Sequence, residues 1–125
     1  MHFYGDINKD NYDVNIFYKN KISKTYDNNT YDIAFVGRLY NRKEIIIDHD
    51  NIENLSDSEL VLLTYIKYGY DAFEIIDGSY SLIIYDYAHN LVILARDRFG
   101  TMPLYYTHSD DKCIFSSNIS NILNN

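Results

Sequence analysis

Cys113 and His2 are the two side chains that we consider first as possible nucleophiles. The single cysteine, Cys113, lies in an apolar run with Ile114 and Phe115, which favours a buried thiol over a reactive thiolate. His2 stands near the amino terminus, but an acyl group carried on an imidazole would be labile. We therefore interpret His2 as a non-catalytic residue of the first strand.

Metal chemistry has one candidate, His49, which lies between Asp48 and Asp50. Adjacent residues generally point in different directions, so we interpret this segment as an exposed polar turn. With one cysteine and no ligand spacing typical of a metal site, the sequence predicts no internal disulfide and no metal. No cofactor is expected.

The overall charge restricts the partners of this chain. A net charge of −7 and a pI near 4.8 argue against nucleic acid and against anionic membranes, which both need a basic surface. The 125 residues suit a single domain, residues 1–125. No apolar run reaches membrane-spanning length and residues 1–6 do not resemble a secretion signal, so a cytoplasmic location is the default expectation. The 14 tyrosines suit a partly wetted sheet or a protein interface.

The elements that would position these residues are mainly strands. Ser56 with Glu59 forms the pattern of a capping box, and Gly69 suits the end of the helix that begins there. The run Ile45–Ile47 fits a short helix or a strand, and a second short helix is predicted at residues 71–76. Alternation, apolar runs and turn residues predict strands at 14–18, 33–36, 79–87, 91–96, 104–107 and 112–116. The segment Arg96–Gly100 is predicted to be a tight reversal, with Pro103 opening the next strand.

Five stretches, in the family's order along the chain, together resemble one known family. Residues 93–106, ILARDRFGTMPLYY, resemble the ARDRFGxxPLYY signature of the glutaminase domain of asparagine synthetases, which are class II glutamine amidotransferases. Residues 33–41, 56–60 and 77–86 resemble that family's xNGEIYN loop, sDsE helix start and rGmFaFaiwD strand, and the tail 113–119 resembles its FaSExxAL segment. The resemblance extends from about residue 31 to 123 and implies an α+β fold, an Ntn-hydrolase-like αββα sandwich of antiparallel sheets, here shortened at the amino-terminal end.

The resemblance also implies a site, and this sequence departs from it at several points. The family uses an amino-terminal cysteine as nucleophile, whereas this chain begins with Met1 and His2. The NGE of the oxyanion loop is replaced by Val36, Gly37 and Arg38. Val36 offers no side-chain donor, and losing one such donor typically costs about 2.7–4 kcal/mol of transition-state stabilisation. Gly37 keeps its backbone N–H, while Arg38 replaces an acidic residue.

The family's other glutamine-binding residues are only partly matched in this sequence. Asp57 matches the aspartate that holds the ammonium group of glutamine, although helix capping and the helix dipole explain an aspartate there equally well. The family's arginine-bearing hRGPD segment has no counterpart before residue 31. We therefore predict a catalytically inactive domain that acts as a structural or regulatory partner of an ATP-dependent amide-forming domain. Such a domain would resemble asparagine synthetase, a lasso-peptide cyclase or β-lactam synthetase.

Two other functions remain open from the sequence. One is a residual glutamine amidohydrolase built around His2, Gly37 and Asp57. The other is a self-associating, small-molecule-binding module in which Arg38 meets an anionic ligand. The chain is either a free-standing subunit or part of a longer protein, and a homo-oligomer is also considered.

The expected docking surface comprises Arg96, Asp97, Arg98 and Phe99, because arginine and an exposed aromatic ring are common at the centre of interfaces. A self-contained ion pair at a hairpin corner is an equally good explanation of these four residues.

Overall fold

The computed structural model describes residues 2–49 and 54–118, which form eight strands, three α-helices and one short 3₁₀ turn. The strands are β1 (Tyr4–Asn8), β2 (Val14–Phe17), β3 (Ile22–Tyr26), β4 (Asn29–Leu39), β5 (Gly78–Asp86), β6 (Leu91–Arg96), β7 (Tyr105–His108) and β8 (Lys112–Ser116). The helices are α1 (Arg42–Asp48), α2 (Asp57–Tyr68) and α3 (Ala72–Ile75), and the 3₁₀ turn is Gly69–Asp71. No described helix is long and apolar enough to cross a membrane.

The strands form two antiparallel sheets of four. We call the sheet of order β3-β4-β5-β6 the central sheet and the sheet of order β2-β1-β8-β7 the outer sheet. The long β4–β5 pairing runs in register from Tyr31 opposite Asp86 to Leu39 opposite Gly78, and it forms the middle of the central sheet.

Two hydrophobic cores lie on opposite faces of the central sheet. Along β4, Ile33 and Phe35 belong to the core shared with the helices, whereas Ala34 and Val36 belong to the core shared with Phe115 of the outer sheet. This alternation follows from the period of two along a strand, and it confirms the prediction of antiparallel sheets in an α+β fold. The described residues form three layers, so they do not include the second helical layer expected of a complete αββα sandwich.

The predicted capping box starts α2 as expected. The Ser56 hydroxyl accepts a hydrogen bond from the Glu59 amide at 3.2 Å, and the Glu59 carboxylate accepts one from the Ser56 amide at 3.5 Å. The helix ends at Gly69, whose φ of 63° lies in the left-handed region that glycine adopts without strain. Both predicted ends of this helix are therefore confirmed.

Three other sequence predictions need correction. The segment after Arg96 is not a hairpin corner, because β6 lies in the central sheet and β7 in the outer sheet. Pro103 does not open β7, which begins at Tyr105. The strand predicted at residues 33–36 continues through Gly37 to Leu39 because it pairs with β5 over that whole length. The ambiguous isoleucine run forms helix α1, and residues 119–123 of the tail that resembles the family lie outside the described residues.

Candidate functional site

Four residues that the sequence compares with the family's catalytic site, namely His2, Val36, Gly37 and Asp57, meet in one cleft, which we call the vestigial cleft. It has a volume of about 600 Å³ and lies beside β4 and the start of α2. Its lining includes His2, Val36, Gly37 and Asp57, together with residues that the sequence did not point to, among them Tyr18, Asn20 and Met102. Arg38 is not part of this lining.

Gly37 is required by the backbone at the edge of the cleft. Its φ is +126°, and a Cβ atom placed there would lie 1.9 Å from the carbonyl oxygen of Ser79 on β5. A side chain would therefore separate β4 from β5. This need for close approach explains Gly37 whether or not the cleft binds a ligand.

Asp57 has both carboxylate oxygens engaged within the protein. One accepts a hydrogen bond from the Leu39 amide at 3.0 Å, and the other lies 2.8 Å from the Arg42 guanidinium. Arg42 also donates to the Leu55 carbonyl. Asp57 thus connects the end of β4 to the starts of α1 and α2. The sequence did not identify Arg42 as its partner, because no local spacing relates two residues that are 15 positions apart.

The histidine and the cysteine occupy different surroundings. His2 is exposed, and its Nδ1 lies 3.3 Å from the Ser117 hydroxyl, which also accepts a hydrogen bond from the Phe3 amide. Cys113 is half-buried on β8 and does not line the cleft. Burial raises the pKa of the Cys113 thiol, so its thiolate fraction at neutral pH is small.

The candidate metal segment contains a structural histidine. His49 Nε2 lies 3.1 Å from the Thr64 hydroxyl, while Asp50 lies outside the described residues. Among the residues that are described, no group of three or more histidine, cysteine and acidic side chains is placed to hold a metal ion.

Arg38 is exposed on β4, and its guanidinium carbon lies 5.5 Å from the centre of the Tyr40 ring. This contact is within the range of a cation–π interaction and holds the side chain beside Tyr40. Arg38 does not line the cleft, so the anionic ligand expected of it stays a prediction.

The segment that connects β6 to β7 is organised around Asp97, which is only 4% exposed. Its carboxylate accepts hydrogen bonds from the Tyr80 amide at 3.0 Å, the Phe99 amide at 3.0 Å, and the Thr101 amide and hydroxyl at 3.2 and 2.7 Å. Burial by itself would raise the pKa of Asp97, but the hydrogen bonds from Thr101, Tyr80 and Phe99 outweigh it and lower the pKa to about 2. Asp97 therefore holds the segment together from inside, and within the expected docking surface it shapes the backbone and does not stand exposed to solvent.

The other three residues of that surface face solvent. Phe99 is 83% exposed, and Arg96 and Arg98 are also exposed. Within residues 2–49 and 54–118, neither arginine forms an ion pair with Asp97, so a self-contained ion pair does not explain this corner. Arg98 and Phe99 border a cavity of about 300 Å³ that the sequence did not predict and that is also lined by Phe73, Glu74, Asp77 and Tyr80.

The chain is similar to known proteins over most of its length. Residues 22–125 match the family model described as a glutamine amidotransferase domain. Relatives include asparagine synthetase (glutamine-hydrolysing) 3 of Bacillus subtilis, 36% identical over 79% of this chain, and putative asparagine synthetase 2 of Methanocaldococcus jannaschii, 33% identical over 73%. The match spans only 17% and 18% of the length of these relatives.

Solved structures agree in fold. The Bacillus subtilis glutamine phosphoribosylpyrophosphate amidotransferase matches 78% of this chain and 24% of its own, with a TM-score of 0.63 and 19% identity. A structure described as the allosteric regulatory enzyme of purine biosynthesis matches 79% of this chain and 24% of its own, with a TM-score of 0.64 and 18% identity. The paired antiparallel sheets, the cleft beside Gly37 and these similarities agree with one another, and the chain belongs to the glutamine amidotransferase domain family, with the Ntn-hydrolase-like fold of its class II members.

Proposed function

We propose that this chain is a glutaminase-type domain that does not hydrolyse glutamine and that acts as a structural or regulatory partner of an ATP-dependent amide-forming domain. The main observation in support of the proposal is that both carboxylate oxygens of Asp57 already have partners within the protein. One is bound by Arg42 and the other by the Leu39 amide. The family resemblance assigns this carboxylate to the ammonium group of the substrate. Here a protein cation already occupies that role.

The ion pair makes glutamine a poor ligand for the cleft. An incoming ammonium group would have to displace Arg42 or approach it closely, and like charges that share a carboxylate repel each other. The 2.8 Å contact between Arg42 and Asp57 is only partly exposed, so water screens this repulsion incompletely.

The chemistry of amide hydrolysis is also poorly supported by the cleft. Val36 supplies no side-chain donor for a developing oxyanion, and preorganised donors contribute the largest share of stabilisation in acyl transfer. The thiol of Cys113 lies outside the cleft lining, and burial raises its pKa. His2 is the remaining candidate nucleophile, and it is held next to Ser117.

The partner role is supported by the relatives and by the surface after β6. The relatives bear the name asparagine synthetase, and the matched region is about one sixth of their length. Phe99 and Arg98 stand beside a cavity of about 300 Å³, and an exposed aromatic ring next to a concave surface is typical of interface anchors. We therefore assign the docking of the amide-forming domain to the surface around Arg98 and Phe99.

The decisive experiment measures ammonia release from glutamine by the purified full chain. We expect no release above the background of buffer with glutamine, and the same result for His2→Ala and Asp57→Asn. Saturable release that disappears in His2→Ala would contradict the proposal and support a residual amidohydrolase.

The partner role needs a separate measurement. Native mass spectrometry of the chain mixed with the nearest ATP-dependent amide-forming protein of the same genome should detect a complex. A complex that is equally stable with Arg98→Ala and Phe99→Ala combined would place the interface elsewhere, and the absence of any complex would contradict the partner role.

A further inference from the structure

Strand β6 forms a free edge of the central sheet, with β5 as its one strand partner among the described residues. The Asp97 amide donates to the Tyr80 carbonyl at 3.0 Å. Because hydrogen-bonded positions alternate along an antiparallel pair, the backbone N–H and C=O groups of Val92, Leu94 and Arg96 face away from β5. No backbone hydrogen bond from another described segment reaches them.

This edge is less protected than the other edges of the two sheets. Strands β2 and β7 have four residues each, whereas β6 has six. Strand β3 carries Lys24, whose ammonium group lies 3.8 Å from the Glu59 carboxylate, and a lysine on an edge strand is a common device against strand pairing. The sequence of β6, LVILAR, contains neither lysine nor proline, and its first five residues are apolar. Such an edge is a ready template for another strand.

We propose that β6 pairs antiparallel with β6 of a second copy of this chain, so that the two central sheets become one continuous sheet across a two-fold axis. In the register that uses all outward-facing groups, Leu94 lies opposite Leu94 of the second copy, and Val92 lies opposite Arg96. This pairing forms about six new backbone hydrogen bonds, and it leaves no outward N–H or C=O group of these three residues unpaired.

The side chains of β6 favour a second copy as the occupant. Arg96 is the only charged residue of β6, and the two-fold arrangement places the two Arg96 side chains at opposite ends of the paired strands. Each Arg96 side chain then lies beside Val92 of the other copy. Val92 pairs with Tyr85 on β5, and the rings of Tyr85 and Tyr87 stack with their centres 4.3 Å apart. An arginine guanidinium stacks favourably on tyrosine rings. The strand is thus complementary to itself in backbone hydrogen bonding, and the two like charges of the pair do not meet.

The resulting dimer is expected to be weak and to depend on salt in a specific direction. Pairing along one edge buries less surface than a standard stable interface. Each chain carries a net charge of −7, so the two copies repel at long range. Salt screens this repulsion, and dimer formation should increase with ionic strength. An interface formed mainly by opposite charges would show the reverse.

The first test is sedimentation equilibrium of the full chain from about 10 µM to about 1 mM, where weak dimers become populated. Val92→Pro removes an outward-facing N–H without removing a hydrogen bond to β5. The matched control is Thr25→Pro on β3, the opposite edge of the same sheet. Asp27 and Asn28 have φ of 50° and 67°, as in a two-residue hairpin turn, so the Thr25 N–H also faces away from its neighbouring strand.

We expect the parent chain and Thr25→Pro to dimerise alike, and Val92→Pro to raise the dissociation constant by at least about tenfold. A parent chain that stays monomeric at the highest concentration in about 0.5 M salt, or a dimer equally affected by the two proline substitutions, would overturn the proposal.

A second measurement uses the unmodified chain and does not depend on the folding of a variant. Amide hydrogen exchange of Val92, Leu94 and Arg96 should slow as the concentration rises, whereas exchange at Ser23 and Thr25 should not change. Dimer formation without added protection on β6 would contradict the assignment. No amide-forming partner is present in these assays, and Phe99→Ala should leave the dimer unchanged, so this inference and the proposed function can fail separately.

Discussion

Two carboxylates at the ends of the central sheet are held in contrasting ways. Asp57, beside the cleft, is partly exposed and is held by the Arg42 guanidinium and by a single backbone amide, that of Leu39. Asp97, after β6, is 4% exposed and accepts four hydrogen bonds, three of them from backbone amides. A side-chain cation neutralises charge but fixes little backbone, so the one backbone donor of Asp57 fixes the path of the chain less than the three backbone donors of Asp97 do. Asp57 is the aspartate that the family resemblance marks as functional, and Asp97 lies in the expected docking surface. The comparison predicts that Asp57 contributes less to the stability of the fold than Asp97 does.

The largest expected effect comes from Asp97→Ala. This change leaves the Tyr80 amide unpaired inside the protein and removes the acceptor that shapes residues 97–101. We expect the free energy of unfolding to fall by about 3 kcal/mol, measured by urea denaturation. If Asp57→Ala proves equally destabilising, the contrast between the two carboxylates does not hold.

The next effect is a loss of stability in acid. The pKa of Asp97 is lowered from 3.8 to about 2 in the folded protein, so its contribution to stability is present above about pH 4. That contribution is lost as the pH falls toward 2, because protonation then favours the unfolded chain. We expect Asp97→Asn to lower the free energy of unfolding at pH 7 less than Asp97→Ala does. It should also make stability depend less on pH between about pH 4 and pH 2.

Thermal unfolding from pH 2 to 7 tests the acid effect. The pKa of Asp86 is also lowered, so the Asn variant should retain part of the acid loss. A variant profile that parallels the parent over the whole range would show that Asp97 does not titrate with folding.

A smaller effect is expected for Asp57→Asn. It removes an ion pair that water partly screens, and a first-turn charge at the start of α2, for a loss of a few tenths to about 1 kcal/mol. Urea denaturation measures the loss, and isothermal calorimetry with glutamine tests the cleft. Glutamine binding by the parent chain that this substitution abolishes would mean that the cleft still recognises an ammonium group despite Arg42.

The smallest effect on stability is expected for Phe99→Ala. The ring is 83% exposed, and substitutions at such positions usually change the free energy of unfolding by less than about 0.5 kcal/mol. Binding to an amide-forming partner should weaken by more than about 2 kcal/mol if Phe99 is an anchor. A marked drop in melting temperature would instead make Phe99 part of the internal structure that Asp97 organises.

Local signals in the sequence predicted the local structure well. The capping box of Ser56 and Glu59 and the strands Leu91–Arg96 and Lys112–Ser116 appear where they were predicted. The path after β6 was not predictable, because turn residues indicate that the chain reverses but not which sheet it joins. The Arg42–Asp57 ion pair and the burial of Asp97 depend on elements that are distant in sequence, and no local periodicity reports such contacts.

The position of β4 and β5 between the two hydrophobic cores has a consequence for cooperativity. Ile33 and Ile84 pack toward the helices, while Ala34 and Ile83 pack toward the outer sheet. The same paired strands therefore complete both cores, and neither core can open fully while the other stays closed. Unfolding should be all-or-none, with the amides in the middle of β4 and β5 exchanging only through that single global event.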